Sequence, residues 1–540
     1  MTIQYLLSII IFFPLVGMVA IFFIPKENEN AIKWTAVLTS IVPFILSVIL
    51  WQGYLSYVDA RAMEAGGMYY PEPPIAWIPT LNIWYRLGVD GVSVPLIFLT
   101  TLLTIISLFY SSYVIKDRVK EYFALFLLLE TGMLGVFAAL DFFLFYIFWE
   151  IGLVPMYFLI GIWGHTEDRP QYSAMKFFIY TLIGSVLMLL AILALYFQTG
   201  SFDIVAIAKH PALMDPKWWL FKNLAFWGMF AAFAIKVPMW PFHTWLPDAH
   251  TAAPTAGSVI LAGVLLKLGA YGFIRVLMPI FPDVLWRYAG LAIAILAVIS
   301  IVYGAFVSMA QTDLKRLIAY SSVNHMGYTM LGIAAAAMVN WEGYKPYADS
   351  AAIALNGAVL QMFNHGIITG GLFLMVGMLY ERAHTRRVDA FGGLAEKIPT
   401  YYGLMMLTSF ASLGLPFLAG FVSEFMIFRG AFHIIPGIAA LGVIGIVVTA
   451  AFILWKIIQM VFLGPVDEHK YAELEHHLSV NTLAEYWQSS GKGRFMKDMQ
   501  SWEVVAMTPL AVFMVAIGVF PAPIINLINT TAIKILSSIS

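Results

Sequence analysis

Several ionisable residues lie in stretches so apolar that an uncharged side chain would be expected at each. Glu150 falls about midway along "DFFLFYIFWEIGLVPMYFLIGIWG", Lys236 closes "LAFWGMFAAFAIK", Lys267 interrupts "GSVILAGVLLKLGAYG", and Glu424 lies in "ASLGLPFLAGFVSEFMIF". Glu130 and Lys456 are two more. His325 ("SSVNHMGYTM") and His365 ("QMFNHGIITG") sit in further apolar runs, and His243 and His250 in the proline-rich "VPMWPFHTWLPDAH". A charge near the centre of a bilayer costs at least about 2.5–3.5 kcal/mol. Residues kept against that cost point to chemistry, and Glu, Lys and His at intervals are the parts of a proton relay. Burial weakens the hold of a lysine on its proton, a nearby carboxylate restores it, and histidine passes a proton in either direction near neutrality. The pattern predicts that Glu150 modulates Lys236. It predicts transfer from Lys236 to Lys267, then through His325 or His365, to Glu424. His243 and Glu130 are further candidates.

Each residue also has a plainer reading. Glu150 and Lys236 could be an ion pair locking two helices. Lys267 could snorkel, and Lys456, near the end of its run, is expected to do so. Glu130 could be a helix-contact residue, and His325 and His365 packed hydrogen-bonding groups. His250 reads as structural. The prolines alone carry little information, since proline is frequent in membrane helices.

The elements that must position these residues follow from composition. Of 540 residues, 61% are hydrophobic and 11% charged, with a net charge of −1 and no cysteine. A soluble chain is about a quarter charged, so lipid must be the solvent for most of this one. The near-neutral charge gives no sign of nucleic acid binding. Without cysteine the chain supplies no thiol chemistry, disulfide or Fe–S ligand. There is no nucleotide-binding loop and no haem or zinc spacing. A span needs about 20 mostly apolar residues. The sequence predicts an all-α polytopic protein with roughly fourteen spans, near 3–24, 32–57, 93–115, 121–138, 141–163, 173–198, 219–240, 252–278, 286–308, 314–336, 350–380, 399–428, 434–463 and 503–528. The first is read as a helix and not a signal peptide, because it lacks a basic start and a cleavage site. Loops after odd-numbered spans carry more Lys and Arg, which places both termini outside. A short surface helix is expected within 464–502.

Pro238, Pro241 and Pro247 break the seventh span beside Lys236, and Gly414, Pro416 and Gly420 interrupt the twelfth before Glu424. Broken helices survive in a membrane only where protein or water lines them. Two of them five spans apart suggest two inverted five-helix repeats. The expected organisation is N-terminal helices in 1–120, a first repeat in 121–280, a second in 281–465, and a polar loop with the last helix in 466–540.

The stretches "FFLFYIFWEIGLVPMYFLIGIWG", "FAIKVPMWPFHTWLPDAHTAAPTAGSVILAGVLLKLGAYG", "LKRLIAYSSVNHMGYTMLG" and "GLPFLAGFVSEFMIF" resemble the antiporter-like M chains of the proton-pumping NADH:quinone oxidoreductase, respiratory complex I, within the Mrp-antiporter-related superfamily. The resemblance runs over nearly the whole chain. It implies fourteen helices with broken helices 7 and 12, a Glu150 that modulates Lys236, Lys267 as central relay, Glu424 as terminal site, and assistance from His325 and His365. It implies no cofactor in this chain. FMN, Fe–S clusters and quinone belong to partner subunits: sister antiporter-like chains in the membrane and a hydrophilic redox arm. The location implied is an energy-transducing membrane, such as a bacterial plasma membrane. The stretches 58–92 and 464–502 look longer than in the family's leanest members. The distal antiporter-like chain carries a long lateral helix, and this chain, ending soon after Phe520, is expected not to be that one.

Three alternatives stand beside this reading. One is a cation/proton antiporter subunit of Mrp type, whose most similar chain carries lysine on the twelfth span where this one has Glu424. Another is the equivalent pump subunit of a ferredoxin-fed or hydrogenase-type complex. The third is an inert scaffold, which the buried charges argue against.

Overall fold

The computed structural model describes residues 5–61, 72–339, 345–471 and 497–538. Apolar runs bounded by Pro, Gly and charged residues give long helices, because in lipid a helix satisfies its own backbone. Two N-terminal helices, α1 (Leu6–Phe23) and α2 (Glu29–Arg61), precede a hairpin of β1 (Ile75–Ile78) and β2 (Ile83–Tyr85). Next come α3 (Ser93–Val114), α4 (Val119–Ala138), the consecutive α5 (Phe142–Ile151) and α6 (Leu153–Trp163), and α7 (Pro170–Thr199). The interrupted pair α8 (Trp219–Lys236) and α9 (Trp245–Ala252) leads to α10 (Thr255–Ile280), α11 (Pro282–Ala310), α12 (Leu314–Ala337) and α13 (Ala348–Ala383). A second interrupted pair, α14 (Pro399–Ser412) and α15 (Ala419–Ile434), is followed by α16 (Pro436–Phe462), α17 (Ser501–Val519) and α18 (Ala522–Ser538). The surface helix expected within 464–502 lies outside the described residues.

Among the described residues, twelve helical segments are long and apolar enough to cross a membrane. Two expected spans miss that standard for physical reasons. α12 is long enough but carries Ser321, Ser322, Asn324, His325 and Thr329; it is buried along nearly its whole length and needs no lipid-facing apolar side. α14 and α15 have 14 and 16 residues, each short of the ~20 a span needs. The single span expected at 503–528 is corrected to two helices, because Pro521 cannot continue the backbone ladder of α17. α18 then turns back onto the bundle. The Thr531 hydroxyl accepts from the Gly91 amide at 2.9 Å and lies 3.1 Å from the Tyr54 hydroxyl.

α3, α4, α10 and α13 form the interior, while α1, α2, α7, α16 and α17 face outward with exposed apolar residues such as Phe23, Phe197, Val447 and Val512. The two breaks are closed by side chains, some of them from other helices. At the first, Trp240 donates its amide to Ser300 Oγ at 2.9 Å and Trp245 donates Nε1 to the Ile235 carbonyl at 3.0 Å. At the second, Gly414 and Phe417 adopt positive φ, and Asn364 donates to the Ala419 carbonyl at 2.7 Å.

α8 and α10, the helices that bear the two central lysines, touch backbone to backbone. A Cβ on Gly269 would lie 2.6 Å from the Phe233 carbonyl oxygen and 2.8 Å from the Val237 amide nitrogen. Gly269→Val should therefore push the helices apart at a cost of about 1–3 kcal/mol. A lower thermal unfolding midpoint of the assembled protein, with less chain recovered in it, is the expected result.

Candidate functional site

α10 widens on either side of Lys267 into π-helical turns, Leu261–Leu265 and Phe273–Leu277. Such turns free a carbonyl from the regular ladder. Lys267 Nζ donates to the Ala262 carbonyl, and to Nδ1 of His365 on α13 at 2.6 Å. With Lys267 protonated, Nδ1 accepts and a neutral His365 carries its proton on Nε2. That nitrogen is buried without a protein partner. The His365 and His325 ring centroids are 5.8 Å apart. His325 Nδ1 lies 3.3 Å from Glu424 Oε1, and its Nε2 lies 3.3 Å from Ser412 Oγ. A small cavity bounded by His325, Gln361, His365, Thr369, Ser412 and Glu424 has room for about one water. Lys267, His365, His325 and Glu424 thus form one buried row across α10, α13, α12 and α15.

The other predicted residues are placed differently. Lys236 Nζ has no hydrogen-bond partner among the described residues; it lies 5.3 Å from the Trp149 ring centroid and 5.9 Å from that of Phe177. Glu150 is within electrostatic reach of this ammonium, but no ion pair joins them, so its influence acts over a longer distance than direct pairing. No hydrogen-bond path among the described residues links Lys236 to Lys267. Glu130 is wholly buried, and both carboxyl oxygens are unpartnered among the described residues. His243 lies off the row, its Nε2 3.3 Å from the Tyr303 hydroxyl. Lys456 bonds the Gln311 carbonyl at 2.6 Å near the end of α11, in keeping with its position near a span end.

Two features were not read from the sequence. His250, taken there as structural, is fully buried, with both ring nitrogens unpartnered among the described residues. Its ring stacks on Phe373 at 4.5 Å, and Lys267 is within electrostatic reach. The available signal was its place, with His243, in the proline-rich segment that follows Lys236. The second is a cluster that caps α9. Arg386 holds Asp168 at 2.6 Å, Asp313 at 3.0 Å and the Thr251 carbonyl at 3.2 Å. Lys315 Nζ bonds the Ala253 carbonyl at 2.5 Å, and the His165 amide bonds that of Ala252 at 2.8 Å. Cations at a helix C-terminus satisfy orphan carbonyls and complement the dipole. Arg386 stood in the sequence only as one of the loop charges.

The family model described as "NADH:quinone oxidoreductase/Mrp antiporter, TM" matches residues 139–451. NADH-quinone oxidoreductase subunit M of Rhodobacter capsulatus is 40% identical over 97% of this chain and 95% of its own length. The protein of the same name in Rickettsia typhi is 36% identical over 98% of each. The chain belongs to the subunit M family of NADH-quinone oxidoreductases. A chain in respiratory complex I from Thermus thermophilus with bound NADH has the same fold, with a TM-score of 0.79, 24% identity and coverage of 99% of this chain and 100% of that one. A chain of the Mrp complex from Dietzia sp. DQ12-45-1b matches at 0.76 with 20% identity, over 99% of each. This member of the subunit M family is a multi-pass membrane protein, and the matched span contains Glu150, Lys236, Lys267, His325, His365 and Glu424 but not Glu130.

His165, in the loop between α6 and α7, has its pKa pushed down to about 2, first by burial and then by the charges of Lys315, Arg386 and His384. It stays neutral in the folded protein, whereas in the unfolded chain it titrates near ~6.5. Below that pH the unfolded state binds the extra proton, so stability falls as pH falls. His165→Gln removes this term. The variant's thermal midpoint should decline less than wild type between pH 7 and pH 5.

Proposed function

We propose that this chain is a proton-translocating membrane subunit of a redox-driven NADH:quinone oxidoreductase, moving protons through a buried Glu/Lys/His relay coupled to quinone reduction on other subunits. The observation that carries this reading is the row Lys267–His365–His325–Glu424, with Lys267 in hydrogen-bond contact with His365 at 2.6 Å. A scaffold has no use for four ionisable groups aligned at such a cost. Lys267 is the central donor, His365 and His325 pass the proton with one water between their rings, and Glu424 is the terminal acceptor. Lys236 loads the row under the influence of Glu150, and His250 is an intermediate between the two lysines. Glu130 and His243 have secondary roles.

The names of its relatives support a place in a multi-subunit complex. FMN, Fe–S clusters and quinone then reside on partner subunits: sister antiporter-like chains within the membrane and a hydrophilic redox arm. Among the described residues no group of His, Asp and Glu is arranged to hold a metal. The membrane is an energy-transducing one, a bacterial plasma membrane in this reading, with both termini outside. The two interrupted pairs, α8/α9 and α14/α15, correspond under this proposal in two inverted halves, 121–280 and 281–465.

The test is Lys267→Met and Lys236→Met in the assembled complex, with quinone reduction and proton pumping measured together in vesicles. Methionine keeps length and removes the charge. Loss of an acid–base group should lower turnover by about 100-fold or more, with both activities falling together and assembly intact. Full pumping in either variant would mean that its lysine is structural. Cation/proton exchange that persists without quinone reduction would favour the antiporter reading.

A further inference from the structure

At the end of the bundle opposite the Arg386 cluster, the start of α8, the end of α10 and the start of α11 enclose a cleft of about 570 Å3, lined by Leu213, Trp219, Lys222, Ile280, Asp283 and Arg287. That size lies within the range of sites for small ligands and headgroups. Its charges do not cancel. Lys222 is almost wholly buried and ion-paired with Asp283. Arg287 has no carboxylate partner among the described residues: its guanidinium lies 4.9 Å from the Trp219 ring centroid and 5.2 Å from that of Trp286. Two rings hold this guanidinium by cation–π contact, which orients the group and leaves its N–H donors open.

The surroundings locate the cleft at the boundary between hydrocarbon and water. Trp218, Trp219, Trp286, Trp227 and Tyr288 cluster here, and Trp227 donates to the Tyr288 hydroxyl at 3.2 Å across α8 and α11. Such aromatic clusters mark headgroup level. From the cleft, two apolar stripes run toward the middle of the bundle. On α11 the stripe is Arg287, Leu291, Ile295 at successive four-residue intervals, with Leu291 and Ile295 exposed. On α8 it is Leu220 and Leu224, both highly exposed.

The geometry points to a binding site for an anionic phospholipid, its phosphate on Arg287 and its acyl chains along the stripes of α8 and α11. The shared chemistry is a phosphate oxyanion, and the stripes assign it to a lipid, since a free phosphate has nothing to place on Leu220, Leu224, Leu291 and Ile295. This site is independent of the relay and stands or falls without it.

The experiment uses the whole complex in lipid nanodiscs containing a photoreactive phosphatidylglycerol or, separately, a photoreactive phosphatidylcholine, with crosslinks mapped by mass spectrometry. Labelling of peptides covering 213–224 and 280–295 should favour phosphatidylglycerol by about fivefold, the discrimination one interfacial basic residue confers. Arg287→Gln should bring the two lipids to equal labelling, and Arg287→Lys should retain the preference. Quinone reduction and subunit composition check that both variants assemble. Inorganic phosphate in millimolar excess should leave the labelling unchanged. Equal labelling in wild type, a preference that survives Arg287→Gln, or displacement by inorganic phosphate would each overturn the assignment.

Discussion

The Lys267 ammonium lies fully inside a bundle of apolar helices, and much of the architecture follows from keeping it there. A buried charge without partners is expelled or neutralised. Here it has two acceptors, one on its own helix and one on α13. The first exists because α10 is locally overwidened and leaves the Ala262 carbonyl free. The second requires α13 to approach within a hydrogen bond, and Gly263 and Gly366 make the approach possible: a Cβ on Gly366 would lie 2.8 Å from the Gly263 carbonyl oxygen. The central lysine, the π-helical turns and the small-residue contact are one device.

The two helix breaks do related work at either side of this centre. Each ends a helix inside the bundle, where unpaired backbone groups need partners from elsewhere. At the first break the partners are Ser300 and Trp245, and the far end of α9 is held by Arg386, Lys315 and the His165 amide. His250 is thereby fixed on a short helix tethered at both ends. At the second break, the turn after α14 leaves Ser412 beside His325, and α15 brings Glu424 to its other ring nitrogen. A continuous helix through 413–418 would carry Ser412 and Glu424 on different turns, too far apart along the axis to share one imidazole.

The two lysines are held by different forces. Lys267 has hydrogen bonds, while Lys236 has aromatic faces and a carboxylate at a distance. A cation over rings is oriented without using its N–H donors, and the buried Lys236 Nζ makes no hydrogen bond among the described residues. The same kind of contact holds Arg287 at the bundle edge.

Much of the plan was legible in the residues. Apolar runs, their punctuation and the cost of charge in lipid located the spans, the two breaks and the residues of the row, because helix length and burial cost are local properties of sequence. α12 and the α14/α15 pair show the limit of that logic: a helix that is wholly enclosed can be polar, and a pass made of two short helices satisfies no length rule. The tertiary structure alone decided which candidates meet. It joined Lys267 to His365, and His325 to Glu424, left Lys236 among aromatic rings, set His243 aside against Tyr303, and raised His250 and Arg386 to notice. Sequence determines which groups are buried, since burial cost is paid residue by residue; which buried groups share a proton depends on ångström separations between helices remote in the chain, and those are set only by packing.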